Sequence, residues 1–217
     1  MEMKINKLPA GTWRWLHMNH ANVSEEADFT SCPVQIKCPE EIEQVTKDNL
    51  PSNAWETIQT GMGDDMSKLL KESETEELSF KSKADKKDAE PVSLSFEYHD
   101  GDRKGNIVNL YLEENSEMTV VMDYHSHIGS GTAAIQTRIV AEKNAKLKLI
   151  QIERLSDGYD CLNDIGAHCE ENASVELIQL IIGGKNVWMG AQTRLYGKSS
   201  ELKAAIGYQV AGEIVLT

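Results

Sequence analysis

The sequence predicts a mostly β fold, a right-handed parallel β-helix with about 27–29 residues per coil behind a small, partly helical N-terminal region. The first observation is a repeat of four segments that align without gaps in steps of 29, 28 and 27 residues. These segments begin at Asn115, Asn144, Asn172 and Ser199. The second is that Gln136-Thr-Arg-Ile and Gln192-Thr-Arg-Leu lie 56 residues apart, which is two periods. A nearly constant period in two registers indicates stacked supersecondary units.

Each repeated segment opens with a turn-forming residue and continues in strand-like alternation. Leu147 and Leu149 alternate with Lys146 and Lys148, and a period of two is typical of a strand. The apolar pair Leu149-Ile150 is expected to shift the phase, as a bulge or corner would. Asparagine at the start of a repeat suits a corner in the left-handed region of backbone space. About 28 residues give roughly 90 Å of strand contour, which fits one coil of two or three short strands.

A sandwich of antiparallel hairpins would also explain the alternation, but it would not explain the constant period. In a β-helix, the inward apolar residues of successive coils stack into columns along the axis. The residues expected in these columns are Leu147, Leu149, Val175, Leu177 and Leu202. The outward positions of successive coils are expected at Thr119, Lys148, Glu176 and Lys203.

The part of the chain before the repeats contains patterns typical of a packed or extended arm, of helices and of an exposed loop. Residues 1–20 are rich in large apolar side chains, so they are expected to pack on the body or to form an arm that orders on contact. Pro39-Glu-Glu-Ile-Glu-Gln-Val predicts a short helix, because proline suits a first turn and acidic residues suit a helix N-terminus. Trp55 to Lys71 predicts a second helix with its apolar residues near one face. Lys81 to Glu90 is strongly charged and predicts an exposed loop.

The strand signal becomes steady from residue 92 onward. Leu78-Ser-Phe-Lys predicts an earlier short strand, and Val92-Ser-Leu-Ser-Phe-Glu-Tyr alternates without a break. We therefore divide the chain into an N-terminal arm with a mixed, partly helical region, residues 1–91, and a parallel β-helix, residues 92–217.

Composition excludes several classes of function. The chain has 217 residues and a net charge of -13, from 35 acidic and 22 basic residues. That balance argues against nonspecific nucleic-acid binding, which needs a basic surface, and it fits a cytoplasmic protein. The sequence shows neither a secretory h-region at its start nor a stretch approaching 18 apolar residues, so no membrane association is expected.

Two groups of side chains are candidates for metal or cofactor chemistry. His125 and His127 are two residues apart, so on a strand they face the same side and could ligate a metal, although a polar, solvated strand end is the simpler interpretation. Cys161 and Cys169, the latter beside His168, are candidates for binding iron or an iron–sulfur cluster. No Cys-x-x-Cys is present, and the alternative is that both thiols pack as small hydrophobes.

The signatures of common enzymes are absent from the sequence. It contains no phosphate-binding loop, no Gly-x-Ser-x-Gly elbow and no His-Glu-x-x-His helix. We therefore expect that the protein is not an enzyme.

Four stretches of the sequence carry a family resemblance. They are Leu8-Pro-Ala-Gly-Thr-Trp-Arg-Trp-Leu-His-Met-Asn, Glu142-Lys-Asn-Ala-Lys-Leu-Lys-Leu-Ile, the stretch from Cys169 to Gly184, and Leu195-Tyr-Gly-Lys-Ser-Ser-Glu-Leu. Together they resemble the SufB/SufD family, the β-helical scaffold subunits of the SUF system of iron–sulfur cluster assembly. The first is similar to the N-terminal motif of shorter SufD-like members, the next two to paired coil motifs before a Gly-Gly turn, and the last to the coil that follows.

The resemblance implies a scaffold whose partners in the full-length context are a SufC-type ATPase and a SufB-type subunit. The strand Met118–Tyr124 and its turn contain no cysteine, where SufB-type members tend to have one, so the resemblance favours a SufD-like subunit. Family members continue into further coils and C-terminal helices that bind SufC, so the chain is expected to be truncated at its C-terminus. No iron–sulfur cluster is then expected to be held stably outside the assembled complex.

Two functions of different classes remain. The first is a SufD-like scaffold component that acts by protein–protein interaction. The alternative is a β-helix carbohydrate-active enzyme or binding protein, which would need clustered carboxylates or basic residues on one outer face. The final coil stays apolar, so we also expect a homodimer in isolation, with strand pairing at this end and burial of Ile214 or Leu216.

Overall fold

The computed structural model describes residues 1–5, 7, 20–46, 49–51, 55, 58–73, 75–87 and 90–216. The described residues form one helix of several turns, α1 (Asp64–Glu72), and a series of strands. The strands are β1 (Glu2–Ile5), β2 (Ala21–Ser24), β3 (Thr30–Ser31), β4 (Val34–Lys37), β5 (Ile42–Val45), β6 (Glu77–Ser82), β7 (Val92–Tyr98), β8 (Arg103–Leu112), β9 (Glu117–Ser126), β10 (Ser130–Ala141), β11 (Lys146–Leu155), β12 (Gly158–Cys169), β13 (Ser174–Gly183), β14 (Asn186–Leu195), β15 (Glu201–Gln209) and β16 (Glu213–Leu216).

The fold is a β-solenoid of about five turns, which confirms the predicted parallel β-helix. From β7 onward, successive strands alternate between two sheets, and each pairs in parallel with the strand two further along. One sheet has the order β16-β14-β12-β10-β8-β6-β5, with β3 beside β8. The other has the order β15-β13-β11-β9-β7-β4. Each coil therefore contributes one strand to each sheet, and the core lies between the sheets.

The corners of the coils are the predicted left-handed residues. Asn115, Asn144, Asn172 and Ser199 have φ angles between 56° and 59°. Their side chains form a ladder, because Asn144 Nδ2 donates to Asn115 Oδ1 at 2.7 Å and Asn172 Nδ2 donates to Asn144 Oδ1 at 3.1 Å. Asp85 has a φ of 58° and accepts a hydrogen bond from Asn115 Nδ2, so it is an earlier corner of the same ladder. The predicted exposed loop over Lys81 to Glu90 holds at Asp85, which lies in an exposed turn, but it was wrong at Lys81 and Ser82, because these residues end β6 and Ser82 is buried.

Most of the predicted interior residues are buried. Leu147, Leu149, Val175 and Leu177 are all 3% exposed or less. Leu202 was predicted to join them, but 38% of its surface is exposed. It lies in register with Val175, and β15 is the outermost strand of its sheet, so no further described coil covers it.

The expected phase shift at Leu149-Ile150 does not occur. Burial alternates along the whole of β11, so Ile150 faces outward and Gln151 is fully buried. The two Gln-Thr-Arg segments are also not structural equivalents. In the sheet, Arg138 and Gln192 both pair with Gly166, which shifts the second segment by two residues relative to the first.

The region before residue 92 differs in part from the prediction. Pro39–Val45 is not a helix, because 42–45 forms β5, which is antiparallel to β6 and buries Ile42. Of the predicted helix over Trp55 to Lys71, the described residues include a helical Trp55 and α1, which begins after Gly63, whereas residues 58–63 between them are not helical. Since β6 pairs in parallel with β8, the division at residue 91 does not coincide with a boundary of the sheets. Residues 8–19, with the first quoted motif, lie outside the described residues.

Residues 58–72, here called the N-terminal strap, lie along the outer face of the larger sheet, with 58–62 against β12 and β14 and α1 against β8 and β10. A Cβ atom on Gly61 would lie 2.1 Å from the backbone nitrogen of Ala191, so the two backbones are in direct contact. Gly61 N–H donates to the Ile165 carbonyl at 3.0 Å, and Met62 N–H donates to Asp164 Oδ1 at 2.8 Å. Asp164 is fully buried, and this burial raises the pKa of its carboxyl to about 6.

Candidate interaction surfaces and interior polar site

An exposed apolar surface lies on the outer face of the six-stranded sheet, and we call it the outer apolar patch. Its members are outward residues of three adjacent strands, namely Val121, Ile150, Ile152, Ile178, Leu180 and Ile182. They are in register, because Val121, Ile150 and Ile178 occupy one row across β9, β11 and β13. Leu180 and Ile182 are 43% and 44% exposed. Contiguous exposed apolar surface of this kind is typical of protein-binding sites.

Ion pairs border the outer apolar patch. Lys148 Nζ lies 3.4 Å from Glu176 Oε2 on one side. On the other, Arg154 Nη2 donates to both carboxylate oxygens of Asp123, at 3.0 and 2.8 Å. An apolar centre with a polar rim is the usual anatomy of a protein interface.

A second exposed surface is formed by the last coil, and we call it the end-coil surface. Strands β15 and β16 are the outermost strands of their sheets, and every residue of β15 is exposed. The inward-facing row of β15 is apolar and includes Leu202, Ile206 and Tyr208, the last 56% exposed. A strand at a sheet edge also presents unpaired N–H and C=O groups, which can pair with another chain.

A hydrogen-bonded polar cluster lies inside the solenoid, and the sequence analysis did not predict it. Asn163 Nδ2 donates to Gln151 Oε1 at 3.0 Å and also to Glu153. Gln179 Nε2 donates to Gln151 Oε1 at 2.9 Å, which links neighbouring coils. Cys161 Sγ donates to Glu153 Oε2 at 3.3 Å. All five residues are 3% exposed or less, so their polar groups depend on one another for hydrogen bonds.

Burial controls the protonation of this cluster. It raises the pKa of the Glu153 carboxyl, although hydrogen bonds from Asn163 and Cys161 oppose this effect. Burial, with the nearby Glu153 charge, raises the pKa of the Cys161 thiol well above its usual range. Cys161 is therefore a thiol at neutral pH, whereas metal ligation and nucleophilic attack need the thiolate.

The structure does not bring the two predicted cofactor cysteines together. Cys161 and Cys169 lie on the same strand, β12, eight residues apart, so along the strand their Cα atoms are separated by roughly 26 Å. Both side chains are fully buried in the core. Burial, with the Glu170 charge, raises the pKa of Cys169 to about 11. The two thiols therefore cannot ligate one ion or one cluster in this fold.

The two predicted metal-binding histidines also point to different partners. His125 Nδ1 lies 3.7 Å from Asp123 Oδ2, whereas His127 Nε2 lies 2.9 Å from Glu97 Oε1. Over the described parts of the chain, no group of three or more His, Cys, Asp or Glu side chains is already arranged to hold a metal ion. His125 and His127 therefore do not form a preformed site as a pair.

An open groove of about 800 Å³ runs along the corner after β10 and β12. Its lining includes Glu142, His168, Glu170, Arg194 and Tyr196. His168 Nε2 lies 2.8 Å from Glu170 Oε1, and its ring stacks on Tyr196 at 5.5 Å between centres. The Tyr196 ring is largely exposed, so the groove presents an aromatic face beside carboxylates.

These features define the class of the protein as a parallel β-solenoid with an exposed apolar patch on one outer face, of the kind that binds other proteins. Residues 104–215, more than half of the chain, match the family model described as SUF system FeS cluster assembly, SufBD core domain. The chain therefore belongs to the SufBD core-domain family, and this membership supports a role in iron–sulfur cluster assembly by the SUF system. No curated protein and no solved structure matches the chain at a significant level. Among the helices in the described residues, none has the length and apolar character needed to span a membrane.

Proposed function

We propose that this protein is a SufD-like scaffold component of the SUF system, located in the cytoplasm, which acts through protein–protein contacts and not as an enzyme. The observation that carries this proposal is the outer apolar patch, in a family whose members work as assemblies. This patch faces away from the solenoid axis, so further coils stacked on either end would leave it accessible. The proposed partners are a SufC-type ATPase and a SufB-type subunit.

The outward-facing column of residues on the six-stranded sheet favours a scaffold function and argues against a carbohydrate-active enzyme. Its four predicted members, Thr119, Lys148, Glu176 and Lys203, are in register as expected. The column contains one acidic residue, and that residue is paired with Lys148. Glycoside hydrolysis ordinarily needs two carboxyl groups across the scissile bond, and this column does not supply them.

The groove beside Tyr196 favours the alternative of a carbohydrate-binding protein, because an exposed aromatic ring beside Glu142 and Glu170 suits a sugar ring. Titration with a panel of oligosaccharides, followed by tyrosine and tryptophan fluorescence, separates the two proposals. The scaffold predicts no saturable change. A saturable change that Tyr196→Ala abolishes would support the alternative.

In isolation, we expect the 217-residue protein to form a homodimer through its end-coil surface. Strand pairing at β15 or β16 would satisfy edge N–H and C=O groups and would bury Ile214 or Leu216, and the exposed Ile206 beside them would join the contact. Sedimentation velocity at micromolar concentration should give a dimer for the wild type and a monomer for Ile206→Asp. Gln209→Asp, which faces outward on the same strand, is the matched control and should remain dimeric. A monomeric wild type would contradict this expectation.

Binding to the proposed partners is tested separately by co-expression with a SufC-type ATPase and a SufB-type subunit. We expect co-purification of the wild type, and a loss of the SufB-type subunit with Ile206→Asp. Leu180→Asp tests whether the outer apolar patch contributes. Failure of the wild type to retain either partner would overturn the proposed function.

The isolated protein is not expected to hold an iron–sulfur cluster stably. A cluster usually needs three or four thiolates, whereas Cys161 and Cys169 are distant, buried and protonated. Anaerobic reconstitution with iron and sulfide should leave no cluster absorption after desalting. A stoichiometric cluster that is lost in Cys161→Ser or Cys169→Ser would contradict this prediction.

A further inference from the structure

Three side chains with metal-binding atoms converge at one corner of the solenoid, on coils far from the end-coil surface. Glu97 is the last outward residue of β7, His99 lies in the turn after it, and His127 follows the end of β9. His127 Nε2 is 2.9 Å from Glu97 Oε1, and His99 Nε2 is 3.7 Å from the same oxygen. The two imidazole nitrogens therefore approach a single carboxylate oxygen.

The stacking of coils produces this convergence. Parallel pairing places Glu97 beside His125 and Tyr98 beside Ser126. The backbone N–H of His127 then donates to the Tyr98 carbonyl at 3.4 Å, which continues the pairing beyond β9 and holds His127 next to the turn that carries His99. The centres of the His99 and His127 rings lie 6.0 Å apart.

We propose that Glu97, His99 and His127 form a surface site for one divalent transition-metal ion of the Zn²⁺ class, with water completing its coordination. Imidazole nitrogen with a carboxylate oxygen is a donor set that suits such ions. In a tetrahedral site with bonds of about 2.1 Å, neighbouring donor atoms lie about 3.4 Å apart. The two observed separations, 2.9 and 3.7 Å, lie on either side of that distance.

The site closes on the ion and is not fully preformed. Two imidazoles on one tetrahedral ion have ring centres about 5 Å apart, so the rings must approach by roughly 1 Å. The side chains of His99 and His127 are 66% and 70% exposed, so solvent-facing rotation supplies this movement without disturbing the core.

The surroundings of His99 fit a metal ligand. His99 Nδ1 lies 3.7 Å from Asp102 Oδ2, while its Nε2 faces Glu97. That Asp102 oxygen accepts the backbone N–H of His99 at 2.8 Å, which fixes Asp102 next to the ring, and a carboxylate near the second nitrogen is common at metal-bound histidines. His125 is not part of this set, since its Nδ1 faces Asp123. The structure thus replaces the predicted pair of His125 and His127 with a different trio.

Titration of the intact 217-residue protein with Zn²⁺ tests the site, using competition with a chromophoric chelator to measure affinity. We expect one equivalent to bind, and His99→Ala, His127→Ala and Glu97→Gln each to weaken binding by at least about tenfold. Thermal melts of the metal-free variants should match the wild type, since these side chains are exposed.

Three control variants separate this trio from other donors. His125→Ala, His168→Ala and Cys38→Ser should bind Zn²⁺ like the wild type, and a bound Co²⁺ probe should lack the thiolate charge-transfer band. The proposal is overturned by the absence of a stoichiometric site, by binding that survives His99→Ala with His127→Ala, or by loss of binding in any of the three controls. None of these outcomes depends on partner binding, so the scaffold proposal stands or fails independently.

Discussion

Strands β13 and β15 carry similar inward-facing apolar rows, yet only one of them is buried. Val175 and Leu177 on β13 are 3% exposed, whereas Leu202 on β15, in register with Val175, is 38% exposed. The difference lies in their neighbours, because β13 has a coil on both sides and β15 has one on a single side. In a solenoid, alternation along a strand determines which residues face inward, and the next coil determines whether they are covered.

The largest effect should come from truncating a side chain in the doubly covered strand. Leu177→Ala removes a buried side chain from a packed column and should lower the free energy of unfolding by roughly 2–5 kcal/mol. Leu202→Ala removes a side chain that is already partly in water, so it should cost less than about 1 kcal/mol. Urea denaturation followed by circular dichroism measures both. Equal losses for the two variants would show that the end coil is covered in solution.

The second-largest effect should come from the carboxyl of Asp164, which accepts a hydrogen bond from the backbone of Met62 in the N-terminal strap. Burial raises the pKa of Asp164 from 3.8 to about 6 in the folded state. Because the folded pKa is the higher one, its stabilising contribution is complete below pH 3.8 and is lost as the pH rises through 6. A shift of two pKa units corresponds to about 3 kcal/mol.

The stability difference between wild type and Asp164→Asn isolates this contribution, because other titrating groups cancel. As the pH rises from 4 to 7, the free energy of unfolding of the asparagine variant should increase relative to that of the wild type by up to about 3 kcal/mol. Asp157→Asn, at an exposed turn, is the matched control. A difference that stays constant with pH would mean that Asp164 is not buried beneath the strap.

The smallest effects are expected at the corners. Asn144→Ala keeps a β-carbon in the left-handed region but loses the amide that favours this conformation and forms the ladder, so it should cost roughly 1–2 kcal/mol, whereas Asn144→Gly should cost less. At the last corner, Ser199 replaces the asparagine, so Ser199→Asn should extend the ladder to Asn172 Oδ1 and stabilise by about 0.5–1 kcal/mol. Thermal melts report both changes. No difference between alanine and glycine at 144 would mean that the corner is not constrained.

Corners were predictable where the sequence repeats around them, and unpredictable where it does not. Asn115, Asn144 and Asn172 precede similar strand segments, so their role was visible from spacing alone. Asp85 adopts the same backbone conformation, but it lies in a charged stretch that shows no matching strand after it. Only the hydrogen bond from Asn115 reveals that it belongs to the ladder.

The candidate surfaces were harder to predict because, on these strands, some apolar residues face solvent and some polar residues are buried. Ile150 faces outward and Gln151 faces inward, the reverse of what hydrophobicity indicates. A buried glutamine is tolerated only when partners satisfy its amide, and those partners, Asn163 and Gln179, are 12 and 28 residues away. No local pattern around Gln151 could reveal them.

The sequence by itself determined the period, the strand alternation and the asparagine corners, because these depend on local backbone preference and on a repeat that is visible in one chain. The tertiary structure alone decided which inward rows are covered, which polar groups are satisfied inside the solenoid, and which histidine stands beside Glu97. These properties arise from contacts between coils about 28 residues apart, and the register of those contacts is set by pairing across the sheets.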